Sequence, residues 1–281
     1  MDLDRDGRKD IISGGWPGEL YLFRRNEDGT FAKRRALCDR AGNNINLGSA
    51  SVVYAADWDR DGDLDLVVGN IRGEVHFVAN HSGGKELSFG AAKAVEAGGR
   101  AIRAPGGDSG PCVADWDGDG NPDLLVGADD GSVSVDRHTS QKGLPVLEPP
   151  VELVPPGGRQ ARKGSPTEDC GMRAKVCVTD WNGDGRLDLV MGDFSWIAAQ
   201  PPDLTAEQRA ERDEAQRTLQ ELNRKLAALP KKLRGEGADA ARAEHQALLR
   251  RIKELQRTLA KYSAAPGYHG WVWVFLRRAA P

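Results

Sequence analysis

One nine-residue motif, D-x-[DN]-x-D-G-x-x-D, recurs four times along this 281-residue chain and dictates most of what the chain can fold into. It occupies 2–10, 57–65, 115–123 and 180–188, with starts 55, 58 and 65 residues apart. From the second copy on, a short apolar run precedes the motif (52–56, 112–114, 176–179). Another follows it (64–69, 124–127, 187–192). Runs of this length, rich in Val and bounded by Gly, read as strands. A glycine turn and an alternating segment come next: 18–23, 73–78, 131–135 and finally 270–275. Alternation with period two makes each of these a third strand. A weaker fourth follows the first three copies, near 31–37, 87–95 and 144–154. Four strands in about 60 residues is the content of a propeller blade, with the acidic motif joining its first two strands.

The chemistry of that loop is specific. Carboxylates at alternate positions, a glycine that folds the chain back and a further carboxylate at position nine bring hard oxygen donors round one point. A backbone carbonyl at position seven and water would complete a calcium-type shell. Four like charges in nine residues repel one another unless a cation binds. An EF-hand shares the opening but needs a bidentate Glu at position twelve and flanking helices. Position twelve here is Ser13, Val68, Val126 and Met191, and the flanks read as strands, which excludes it. A merely solvated acidic turn would account for one copy and not for four in register.

These motifs resemble the FG-GAP/VCBS repeat family, whose calcium-binding propeller blades are related to those of integrin alpha chains. The resemblance covers 1–195 and 268–277. It implies a mainly β chain, a partial β-propeller of about four blades, with Ca2+ as the bound ion. Carried over position by position, the side-chain ligands are Asp2, Asp4, Asp6 and Asp10; Asp57, Asp59, Asp61 and Asp65; Asp115, Asp117, Asp119 and Asp123; and Asp180, Asn182, Asp184 and Asp188. Asn182 alone is not acidic, so the fourth site is expected to be the weakest. The first copy has no strand before it and the last has no fourth strand after it, whereas propellers of this family commonly have seven blades. The expectation is therefore the C-terminal part of a longer protein, which also explains why 1–10, charged from its second residue, is no signal peptide.

Between the second and third strands of the last repeat lies a segment with different grammar. Thr205 to Gln208 reads as a capping box. Leu219, Leu222, Leu226 and Leu229 follow at helical spacing, Pro230 and 235–237 break the run, and Leu248, Ile252, Leu255, Leu259 and Tyr262 resume it. An antiparallel α-helical coiled-coil hairpin is expected over 197–267, inserted into propeller blades formed by 1–195 and 268–281. It is expected on the face opposite the acidic loops, beside loops that carry Arg100, Arg103, Arg159, Arg162, Lys163 and Arg173. A basic rim of this kind suits an acidic polysaccharide or an acidic protein patch, although solvation is the commoner fate of loop charge.

Net charge is -3, with 39 Lys plus Arg against 42 Asp plus Glu, so a nucleic-acid footprint is not expected. No apolar run approaches the roughly 20 residues of a membrane span. Trp58, Trp116 and Trp181 share one loop position, which suggests packing between blades rather than sugar stacking. Cys112 and Cys177 each lie three residues before a motif and read as small apolar strand residues. Pairing of Cys38 or Cys170 has no support in the spacing. His76, His81, His138, His245 and His269 fall on no shared motif, and no catalytic constellation is readable. The expected function is a non-catalytic, calcium-binding propeller module for an extracellular protein or polysaccharide, at a secreted, periplasmic or cell-surface location. The alternative is the propeller portion of a secreted polysaccharide lyase or phospholipase whose catalytic residues lie elsewhere.

Overall fold

The computed structural model describes residues 1–83, 86–140, 145–157, 160–161, 170–197, 203–228, 238–262 and 267–278. Within them the chain is mainly β, with several antiparallel sheets and two helices. It divides into two compact units, Met1–Trp196 with Tyr268–Pro281, and Ile197–Gly267.

In the first unit every acidic motif belongs to its own sheet. The first holds β1 (Ile11–Gly14), β2 (Leu20–Phe23) and β3 (Arg35–Ala36), in that spatial order. The second holds β4 (Val52–Ala56), β5 (Asp65–Gly69), β6 (Val75–Val78) and β7 (Lys93–Ala94). A two-stranded hairpin, β8 (Glu96–Ala97) and β9 (Arg100–Ala101), precedes the third sheet of β10 (Gly110–Ala114), β11 (Asp123–Gly127), β12 (Val133–Asp136) and β13 (Val151–Val154). In the fourth, β16 (Asp188–Ile197) pairs with β14 (Gln160–Ala161), β15 (Met172–Thr179), β17 (Gly267–His269) and β18 (Val272–Phe275). Two of the weak fourth strands shrink to two residues, β3 and β7. An outermost strand pairs on one side only, and local turns such as Asp28 Oδ1 accepting from Thr30 N take up the neighbouring polar groups.

Successive sheets pack on one another: β1 lies against β4, β4 and β5 against β10, and β10 and β11 against β15. Each junction traps an apolar core, centred on Leu22, Leu66 and Phe89, on Trp58, Val67 and Leu124, and on Cys112, Leu125 and Met191. The close approach explains a recurring glycine at the end of the strand after each motif. A Cβ on Gly14 would stand 1.9 Å from Ser51 O, on Gly69 2.3 Å from Ser109 O and on Gly127 2.4 Å from Ala174 O. At Gly192, in the last sheet, the nearest neighbour is Lys175 O at 4.0 Å.

The second motif position shows the same progression. Leu3 is buried in the core between the first two sheets. Trp58 is fully buried, edge-on to Phe77, with Nε1 donating to Pro122 O at 2.8 Å. Trp116 is half-buried beneath the Arg277 guanidinium. Trp181 is 62% exposed, so the expectation of packing between sheets fails there, because no described sheet follows it. Cys112 is buried as expected but its counterpart Cys177 is exposed, and no disulfide forms among the described residues.

The second unit contains α1 (Ala206–Ala228) and α2 (Ala238–Lys261). Thr205 and Gln208 form the reciprocal capping box: Gln208 N donates to Thr205 Oγ1 and Thr205 N to Gln208 Oε1. Tyr262 Oη, just past α2, donates to Glu211 Oε2 in the second turn of α1, so the helices run antiparallel. Ala215, Ile252 and Leu255 are buried, and Leu219, Leu222, Leu226, Leu248 and Leu259 half-buried. Leu229, Pro230 and the 235–237 break lie outside the described residues. No described helix is long and apolar enough to cross a membrane.

Candidate metal centres in the acidic loops

All four loops share one backbone. Positions four and six are left-handed, with φ of +57° and +83° at Arg5 and Gly7 and +61° and +94° at Arg60 and Gly62. The third and fourth loops place glycine at both positions, which adopt this conformation without a Cβ penalty. The position-one carboxylate then caps the turn. Gly7 N donates to Asp2 Oδ2 at 2.9 Å, Gly62 N to Asp57 Oδ2 at 3.1 Å, Gly120 N to Asp115 Oδ2 at 3.0 Å and Gly185 N to Asp180 Oδ2 at 2.9 Å. Position five accepts from the amide two residues on, as Asp61 does from Asp63 N and Asp119 from Asn121 N.

Position nine has a structural task that motif spacing alone does not disclose. Asp10, Asp65, Asp123 and Asp188 are all buried. In each, Oδ2 accepts from the position-two amide: Leu3, Trp58, Trp116 and Trp181. Oδ1 accepts from an amide at or just beyond the end of the third strand: Arg25, Asn80, His138 and Arg277, at 3.0, 2.8, 2.8 and 2.8 Å. The carboxylate thus ties loop to sheet, and only its remaining lone pairs face other partners.

Three groups of carboxylates converge, with one oxygen from each member within 4.8 Å of the others: Asp2, Asp4 and Asp6; Asp57, Asp59 and Asp61; and Asp115, Asp117 and Asp123. Asp10 and Asp65 stand apart from the first two groups as brackets, and Asp119 turns to Asn121, whose Nδ2 donates to Asp119 Oδ2 at 2.8 Å. In the fourth loop Asn182 Nδ2 donates to Asp184 Oδ2 at 3.1 Å, and Asp188 is the bracket.

The electrostatics are those of crowded anions. Burial, then Asp61, raises the Asp59 carboxyl. Burial pushes Asp65 up to about 7 and raises Asp123 despite the amides on both. Asp119 is held low by the Asn121 amide and side chain, and Asp184 by the Arg186 amide. Basic side chains offset part of the charge: Arg24 on Asp4 at 3.2 Å, Arg186 on Asp184 at 2.6 Å, and Arg8 on Asp6.

Calcium fits the residues present. The donors are all oxygens, the hard set that this cation takes. Asp4 Oδ1 and Asp57 Oδ1 are buried and meet no hydrogen-bond donor among the described residues. A buried anionic oxygen without a partner costs stability, and a cation at that point removes the cost.

Two arginines of the expected basic rim have other commitments. Arg173 and Lys175 both pair with buried Asp108, and Arg103 pairs with Glu74 at 3.0 Å. Arg159, Arg162 and Lys163 lie outside the described residues. Asp193 lies outside the repeated motif. Its Oδ1 accepts from Trp271 N at 3.0 Å and its Oδ2 from Trp273 Nε1 at 2.6 Å, a bracket that belongs to no repeated spacing.

Residues 2–68 and 57–126 each match the family described as FG-GAP-like repeat. A comparison with curated proteins found no match to the chain.

Proposed function

Taking the chain as an FG-GAP-like repeat protein, we propose that it is a non-catalytic binding module whose acidic loops hold calcium and thereby stiffen a row of four propeller-like blades. One observation carries this reading. The same loop, with the same left-handed turns and the same position-nine bracket, recurs in four sheets, and two of its copies hold a buried carboxylate oxygen that nothing else in the described protein satisfies. Asp2, Asp4 and Asp6, Asp57, Asp59 and Asp61, and Asp115, Asp117 and Asp123 would hold the ions, with the fourth loop weaker because Asn182 replaces a carboxylate. Calcium there supplies charge neutralisation and rigidity. A sub-millimolar to millimolar affinity, usual for extracellular modules, suits a secreted, periplasmic or cell-surface setting with a protein or polysaccharide partner.

Calorimetric titration of calcium into chelator-stripped protein tests the proposal. Saturable binding at more than one site is expected, with one site lost in Asp57→Asn. Absence of binding, or an unchanged isotherm in the variant, would contradict it.

Within this reading, 1–195 with 268–281 form the repeat module and 197–267 an inserted coiled-coil arm. The rings of Trp196 and Tyr268, which flank the insertion, lie 4.7 Å apart, so a short turn can join them. Replacing 197–267 by such a turn should remove most helical circular dichroism and leave calcium binding intact. Loss of calcium binding on deletion would show that the arm belongs to the repeat module.

A further inference from the structure

The third sheet departs from its siblings at one register position. The first residue after each position-nine carboxylate faces a partner on the next strand: Ile11 faces Phe23, Leu66 faces Val78 and Leu189 faces Phe275. In the third sheet Leu124 faces Asp136. Three repeats place an apolar side chain here and one places a carboxyl, only 2% exposed. Val133 and Val135 join the core shared with the fourth sheet. By alternation Ser134 and Asp136 therefore lie on the opposite face, with Leu124 and Val126, toward the second sheet.

Asp136 is costly where it stands. Its Oδ2 is buried without a hydrogen-bond partner, and no described residue forms an ion pair with it. Burial alone pushes its carboxyl up to about 7. Nothing in the fold requires a carboxyl there, since Val78 fills the equivalent place in the second sheet.

Asp136 borders a cavity of about 620 Å³ between β12 and the β8–β9 hairpin. That volume lies within the range of small-molecule sites. Ile102, Ala104, Val126, Pro149 and Pro150 give it apolar walls, and Ser134, Glu152, Arg100 and Arg103 complete the lining, with Arg103 already paired to Glu74 at 3.0 Å. A neutral apolar guest would leave Asp136 unpaired, and an anionic guest, though Arg100 lies at the rim, would face both Asp136 and Glu152 as like charges. A cation with an apolar body satisfies both the walls and the carboxyl.

We propose that this cavity binds a primary amine carried on an apolar stem, with Asp136 as its counter-ion and the proline and aliphatic walls enclosing the stem. The site lies between sheets rather than in the acidic loops, so it stands independently of calcium binding.

The test uses the full chain with n-hexylamine as the probe and 1-hexanol as its uncharged counterpart, each titrated by calorimetry and by chemical-shift perturbation. Hexylamine is expected to saturate and to bind at least about tenfold more tightly than hexanol. Asp136→Val, which installs the residue of the second sheet, should erase that preference while leaving hexanol binding unchanged. Asp136→Asn, which keeps the size, should do the same and serves should the valine variant fail to fold. Equal affinity for hexylamine and hexanol, no saturation at about 10 mM hexylamine, or an undiminished preference in either variant would overturn the proposal.

Discussion

Trp58→Ala should destabilise the protein by about 3–5 kcal/mol in urea unfolding, while Trp181→Ala should change stability by less than about 0.5 kcal/mol. The two residues hold the same motif position, so the contrast isolates what a following sheet contributes. Trp58 is fully buried between the second and third sheets and its indole donates to Pro122 O. Truncation leaves a cavity and an orphaned carbonyl together. Trp181 is 62% exposed, and its amide bond to Asp188 survives truncation. Equal losses at both positions would show that the tryptophan acts within its own loop and that sheet-on-sheet packing is not its role.

Asp136→Val should stabilise the protein, and by more at about pH 8 than at about pH 4. Burial raises the Asp136 carboxyl from 3.8 to about 7 in the folded chain. The folded state therefore holds this proton more tightly than the unfolded state does. The group favours folding most below its unfolded pKa, and that contribution drains away as pH rises toward 7 and is gone above it. A shift of this size corresponds to at most about 4 kcal/mol between the two ends of the window. Because the variant lacks the group, the gap between variant and wild type should widen over this range and level off above it. A gap independent of pH would mean that Asp136 titrates alike in the folded and unfolded states.

The strand order and the acidic loops were legible because both rest on local spacing. Period-two alternation places 73–78 and 131–135 on strands, and the repeated glycine marks where each strand ends. The reason for that glycine was not legible, since the Ser109 and Ala174 carbonyls that exclude a Cβ from Gly69 and Gly127 belong to the next sheet. Position nine shows a further limit. One residue type suits both a calcium ligand and a bracket for two buried amides, and spacing does not separate the roles. Asp136 follows an alternating segment and carries no motif, and only the register shows that it stands opposite Leu124 in the place that Phe23, Val78 and Phe275 hold in the other sheets. Trp181 and Cys177 share their motif positions with buried residues and are exposed, because burial depends on a neighbouring sheet that spacing does not reveal.

Thermal melting of chelator-stripped protein with and without calcium tests the central claim most directly. A ligand that binds only the folded state stabilises it by about 2.7 kcal/mol per site at a hundredfold excess over its dissociation constant. In a chain of this size each kcal/mol is about 2–4 °C in Tm. Calcium should therefore raise Tm by at least about 5 °C, and chelator should reverse the rise. Superimposable melting curves with and without calcium, together with no retained calcium in equilibrium dialysis, would contradict the account.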